Sequence, residues 1–138
     1  MLPFSQYILV YTVSTIIFFA IDMVWLGFVA KDFYRKQIGH LLSDTVQWPV
    51  AISFYLLFLL GLLIFAIAPA LESRSIMHAL IFGALFGFFT YATYDLTNWS
   101  TLRDWPALVS VVDIIWGTVL SATVATTTYW VVATFFLR

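Results

Sequence analysis

Four apolar runs, each long enough to cross a bilayer, decide what this chain can fold into. About 20 residues at a rise of roughly 1.5 Å each span the hydrocarbon of a membrane. The runs cover about residues 4–30, 48–71, 76–98 and 106–137. In hydrocarbon every backbone donor and acceptor must be satisfied within its own segment, so each run is expected to be a helix. The fold class that follows is all-α: an integral membrane four-helix bundle, with residues 1–138 as one transmembrane domain. Only 9% of the residues are charged and 63% are hydrophobic, against about 25% charged in soluble domains. Lipid is therefore the expected solvent for most of the surface.

The boundaries fit this reading. Lys31, Asp32, Arg35 and Lys36 stop the first run, and Glu72 and Arg74 stop the second. Arg138 closes the fourth. Pro49 and Pro106 suit the first turn of a helix, where a missing N–H costs nothing. Trp48 and Trp105 beside them are expected to anchor at the membrane interface. No Lys or Arg precedes Lys31, and the first run exceeds the roughly 7–15 residues of a signal-peptide core, so it is expected to be retained. Residues 72–75 and 99–104 read as tight turns. The longer link places Tyr34, Ile38, Leu41 and Leu42 near one helical face, which predicts a short amphipathic helix lying in the interface over 31–45. Short links make the helices antiparallel neighbours, with both termini at one end. Lys31, Arg35, Lys36 and Arg103 fall at the other, so the positive-inside rule places the termini on the non-cytoplasmic side.

Some chemistry is excluded outright. A net charge of −1 offers no basic stripe for nucleic acid. There is no cysteine, hence no disulfide, thiolate metal site or cysteine nucleophile. Nothing in the sequence names a cofactor.

Three aspartates stand out inside the apolar runs: Asp22, Asp95 and Asp113. A carboxylate at membrane depth costs roughly 2.5–3.5 kcal/mol on insertion scales. Asp22 and Asp95 come late in outgoing helices and Asp113 early in a returning one, so all three belong to one layer near one face. Helical spacing turns each inward. Ala79, Gly83, Gly87, Tyr91 and Asp95 repeat every four residues, and small residues at that spacing let backbones approach closely. Tyr11, Thr15 and Asp22 share a face in the first helix, with Trp25 a turn beyond. Asp113 and Gly117 are a turn apart in the fourth, near Trp116, with Ser121, Thr127 and Thr128 deeper. Three carboxylates in one dry layer need either shared protons or a cation between them, and oxygen ligands favour a hard ion. Arg103 is the nearest basic candidate, with Arg35 and His40 behind it.

Plainer roles exist beside these. The acids could simply bond to neighbouring Trp, Tyr or Thr side chains. Asp104 reads as a helix cap, His78 as an interface residue, and the threonines at 126–128 as bonding back to their own helix. The aromatic side chains read chiefly as lipid-facing rather than as pocket walls. Two hairpins echo each other, with an Asp late in the outgoing helix and Trp-Pro at the return, a repeat that six tryptophans make easy to match by chance.

The strings Asp22-Met-Val-Trp-Leu-Gly27 with Phe33-Tyr34, Tyr94-Asp-Leu-Thr-Asn98 with Thr101-Leu102 and Trp105-Pro106, and Asp113-Ile-Ile-Trp-Gly117 resemble a family of small bacterial membrane proteins, domain of unknown function 2177. The resemblance spans nearly the whole chain. It implies a four-helix protein of the bacterial inner membrane and supplies no reaction. The three aspartates and Asn98 match its pattern, whereas Trp99 stands where a small or aliphatic residue is usual.

The leading functional expectation is binding or translocation of a small solute, cation or proton at Asp22, Asp95 and Asp113, with Asn98, Tyr91, Trp25, Trp116 and Arg103 around them. One alternative is an enzyme acting on lipid or another membrane-soluble substrate, with Asp22 and Asp95 as acid and base. No Gly-x-Ser-x-Gly or paired histidines support it. Another is a non-catalytic partner subunit, or a homodimer, packed through Gly83 and Gly87.

Overall fold

The computed structural model describes residues 1–137, so Arg138 lies outside the described residues. In chain order the helices are α1 (Phe4–Val29), α2 (Lys31–Ile38), α3 (Trp48–Ser73), α4 (Ile76–Thr101) and α5 (Ala107–Phe135). All but α2 are long and apolar enough to span a membrane. Met1, Leu2, Glu72, Arg74 and Phe136 gather at one end, where the amino terminus lies 3.7 Å from Glu72 Oε1. The helices therefore alternate in direction, as the short links require.

Two long helices are interrupted by a π-helical turn. In α1 it spans Trp25–Val29, and the Ala30 N–H closes it by donating to the Trp25 carbonyl at 2.8 Å. Ala30 then leaves helical geometry while its own carbonyl accepts from the Tyr34 N–H at 3.2 Å. The chain passes from α1 into α2 with almost no loop. In α3 the wide turn spans Leu63–Ile67, just before Pro69. Proline has no N–H and crowds the carbonyl four residues back; a local π turn accommodates both effects.

The tight turn at 72–75 is built by Arg74 in the left-handed region (φ 54), with the Ser75 N–H returning to the Ala70 carbonyl at 3.0 Å. Ser75 Oγ accepts from the His78 N–H at 3.2 Å and caps α4. The next connection departs from expectation. Helix α4 continues past Asn98 to Thr101, with its hydroxyls bonded back to their own helix: Thr97 donates to the Thr93 and Tyr94 carbonyls, and Ser100 and Thr101 donate to that of Thr97. Asp104 is not a cap either. It is exposed with φ 58, a region its short side chain tolerates, and α5 begins after Pro106 without a side-chain cap.

The bundle is held most extensively by α4 against α5. Ala79, Gly83, Gly87 and Asp95 are all buried on one face of α4. A Cβ on Gly83 would stand 2.8 Å from Ala125 Cβ, and one on Gly87 would run into the Gly117 carbonyl and Ser121 Oγ. A Cβ on Gly117 would meet the Tyr91 ring. Close approach through small residues was expected of this face, but α5 of the same chain fills it, so a homodimer or partner through Gly83 and Gly87 finds the face already occupied. Helix α1 turns Val10, Ser14, Phe18 and Asp22 inward. The stripe includes Asp22 as expected, but carries Val10 and Ser14 where Tyr11 and Thr15 were expected. Tyr11 lies at its margin, its hydroxyl donating to the Leu56 carbonyl at 2.9 Å, and Thr15 bonds back to the Tyr11 carbonyl.

Overpacking at such contacts costs typically 1–3 kcal/mol. Gly87→Ala is expected to lower the thermal midpoint in detergent by several degrees, because the obstacle is a backbone carbonyl. Gly27→Ala, with nothing within 4 Å of the new methyl, is expected to leave it unchanged. Equal midpoints for the two variants would contradict this packing.

Candidate functional site

The end of the bundle opposite the termini is closed by α2, which does more than lie in the interface. Ile38 is buried against Trp105 and Val109, with Phe33 and Tyr34 packed alongside. Leu41 and Leu42, expected on the same apolar face, remain exposed. The abrupt passage out of α1 at Ala30 is what folds α2 back over the helix ends. Trp105, expected at the interface like the exposed Trp48, is instead 8% exposed. Its Nε1–H donates to Ser110 Oγ at 2.9 Å, and Ser110 Oγ donates to the Asp95 carbonyl at 3.1 Å. That relay ties the α4–α5 loop to both helices.

Beneath α2 lies a cavity of about 310 Å³. Asp22 and Asp113 line it together with seven rings, those of Trp25, Tyr34, Tyr55, Tyr91, Tyr94, Trp105 and Trp116. These seven aromatic side chains form pocket walls, while others such as Phe28, Phe65, Phe89 and Trp130 are exposed on the outside of the bundle, as expected. Tyr34 reaches down from α2 and donates its hydroxyl to Asp113 Oδ1 at 2.6 Å, while accepting a long 3.4 Å bond from Trp25 Nε1. Trp25 and Trp116 stack face to face, with ring centroids 4.1 Å apart at 7°. Trp116 and Tyr55 both stand beside Asp22, and Trp116 Nε1 is buried with no hydrogen-bond partner among the described residues.

Asp95 stands behind the cavity. It is fully buried, faces Asp113, and neither carboxyl oxygen has a hydrogen-bond partner among the described residues. The three acids do occupy one neighbourhood, with Asp113 between the other two. They do not close on a single point: among the described residues, no three His, Cys, Asp or Glu side chains are placed to hold a metal ion together. Asn98 is half-buried beside Tyr94 and outside the cavity wall. Arg103 is exposed in the loop and does not line the cavity, nor do Arg35 and His40. Consequently, among the described residues no cationic side chain lines the cavity with the acids, and their charge is left for protons or a ligand to balance.

Sequence reasoning placed Asp22, Asp113, Tyr91, Trp25 and Trp116 here and missed Tyr34, Tyr55, Tyr94 and Trp105 as wall residues. Tyr34 was legible only as part of an amphipathic face, and nothing in periodicity says that α2 folds inward. Deeper in α5, Ser121 and Thr128 are buried, and their hydroxyls and that of Thr126 have no hydrogen-bond partner among the described residues, whereas back-bonding was expected for the threonines.

Burial first, then the hydrogen bond and charge of Asp113, hold the Tyr34 phenol well above the usual tyrosine range. A group whose folded-state pKa is raised stabilises the fold below its unfolded value, and that stability is lost as pH climbs further. Tyr34 therefore contributes fully below about pH 10 and progressively less above it. Tyr34→Phe is expected to destabilise the protein at neutral pH by about 1–3 kcal/mol, since Asp113 loses its donor, and to flatten the alkaline decline. Thermal midpoints measured across pH check both. Parallel curves for the two proteins would contradict the assignment.

Comparison with known sequences agrees with this membrane architecture. A family model described as "Predicted membrane protein (DUF2177)" matches residues 7–130, a stretch that contains all three aspartates and every wall residue of the cavity. No curated protein and no solved structure matches the chain. With that family model covering most of its length, the chain belongs to this family of multi-pass membrane proteins.

Proposed function

We propose that the chain binds a small organic cation, an ammonium group in the first instance, in the aromatic and acidic cavity beneath α2. The observation that carries this reading is the composition of the wall: two carboxyl groups, seven aromatic rings and no Lys, Arg or His. Ring faces attract cations by roughly 0.5–1 kcal/mol at exposed sites and about 2 or more when desolvated. Carboxylates add direct charge complementarity. An anionic ligand would find only repulsion here. A bare metal ion would lack a convergent ligand set, which is why the cation is taken to be organic.

Tyr34, donating to Asp113 Oδ1, holds that carboxyl at the cavity wall. The stacked Trp25–Trp116 pair gives a flat wall beside Asp22. Protons and the cation compete for the same acids, so binding weakens on acidification. The cavity end carries exposed Lys31, Arg35, Lys36 and Arg103, and we place it on the cytoplasmic side of a bacterial inner membrane, termini outside. In that orientation the cavity is a cytoplasm-facing binding site of a carrier for such a cation.

Tetramethylammonium binding to the purified protein in nanodiscs, followed by tryptophan fluorescence, tests the reading. Asp22→Asn and Asp113→Asn are each expected to weaken binding at least tenfold, equivalent to about 1.4 kcal/mol. Unchanged affinity in both folded variants would overturn it.

A further inference from the structure

A second hollow adjoins the cavity and has a different character. It lies between α3 and α4, encloses about 480 Å³, and is bordered by Phe54, Leu57 and Phe58 on one side and Phe86 and Thr90 on the other. Its remaining wall is Tyr55, Tyr91, Tyr94 and Asp113, of which every member also lines or borders the acidic cavity. The two hollows therefore adjoin across these four side chains, one polar and the other an apolar arm. The arm holds no free polar group of Thr90, because its hydroxyl bonds back to the Phe86 and Gly87 carbonyls at 2.7 and 3.1 Å. Phe86 rests on α3 at Gly61, where a Cβ would stand 2.7 Å from its ring, and so joins the two helices at the groove. Leu57 and Phe54 are exposed at the groove's outer edge, in the stretch of α3 that faces hydrocarbon.

We propose that this groove takes the hydrocarbon chain of a membrane amphiphile whose ammonium head occupies the acidic cavity; the inference rests on the cation reading above and names the substrate class for it. A free solute has no use for an apolar arm, and water beyond the four shared side chains would meet no free hydrogen-bonding side chain. A chain in the surrounding lipid can enter sideways between α3 and α4 without leaving an apolar medium. Asp113, bordering both hollows, marks where head and chain join. Purely anionic heads are disfavoured by the carboxylates of the wall, whereas a cationic head supplies their counter-charge.

A series of alkyltrimethylammonium ions, from tetramethylammonium to octyltrimethylammonium, tests this by tryptophan fluorescence in nanodiscs, with protein-free nanodiscs used to fix the free aqueous concentration to which each affinity refers. Each added methylene is expected to tighten binding about three- to fourfold while it enters the groove. Thr90→Trp and, independently, Leu57→Trp narrow the groove without altering a cavity wall residue. They are expected to abolish most of that chain-length gain and to leave tetramethylammonium affinity within about twofold of the parent. A chain-length gain retained in both folded variants would overturn the groove assignment and leave the cation site standing. Octanol binding as tightly as octyltrimethylammonium would overturn the choice of head. If tetramethylammonium affinity ignores Asp22→Asn and Asp113→Asn, the cation reading fails, and this inference fails with it.

Discussion

Close contact between α4 and α5 across Gly83, Gly87 and Gly117 is the interaction on which the rest of the molecule depends. In a membrane the hydrophobic effect does not draw helices together, so association rests on packing and on polar contacts. Glycine at these positions lets a backbone carbonyl and a tyrosine ring occupy the space a side chain would take. That approach sets the depth at which Asp95 meets Asp113 and where Tyr91 stands. The acids would otherwise be three separate penalties in hydrocarbon. Brought together, they form one polar region shared by α1, α4 and α5.

The same contact explains why the region is open rather than satisfied. With α4 and α5 tightly joined, α3 meets them chiefly through the apolar core and the Phe86–Gly61 contact. Space remains toward α3, and it is walled by rings too large to collapse into it. Above, α2 supplies a roof and a single strong hydrogen bond from Tyr34. The result is a site in which the protein provides acceptors and π faces but withholds positive charge. On the proposed reading, a cationic ligand completes the electrostatics. Such an arrangement is costly for stability alone, since buried carboxyls without partners weaken a fold.

Much of this was legible in the sequence. The four spans, the antiparallel order, the shared layer of Asp22, Asp95 and Asp113, and the small-residue face of α4 all follow from length, charge and a four-residue spacing. What was not legible has specific physical causes. The π turn at Trp25–Val29 adds a residue to one helical turn and redirects the chain, which no periodicity records. It brings Tyr34 to Asp113, 79 positions away. Trp105 and Trp48 look alike beside their prolines, yet one is buried because α2 packs on it and the other has nothing above it. Asp104 reads as a cap by residue type, whereas the helix starts later because Pro106 already fixes the extended residue before the first turn. Gly83 and Gly87 announce a close contact but cannot say whether the partner helix belongs to the same chain.

If the acidic, ring-lined cavity is a cation site, as proposed, a bound cation is visible within it. Tetramethylarsonium, the arsenic counterpart of tetramethylammonium, allows a direct look, because arsenic scatters X-rays anomalously. Crystals of the protein grown in lipid and soaked with this ion are predicted to show a single strong anomalous peak among Asp22, Asp113 and the Trp25–Trp116 pair. An empty cavity at saturating ion, or arsenic bound only elsewhere on the molecule, would contradict the account.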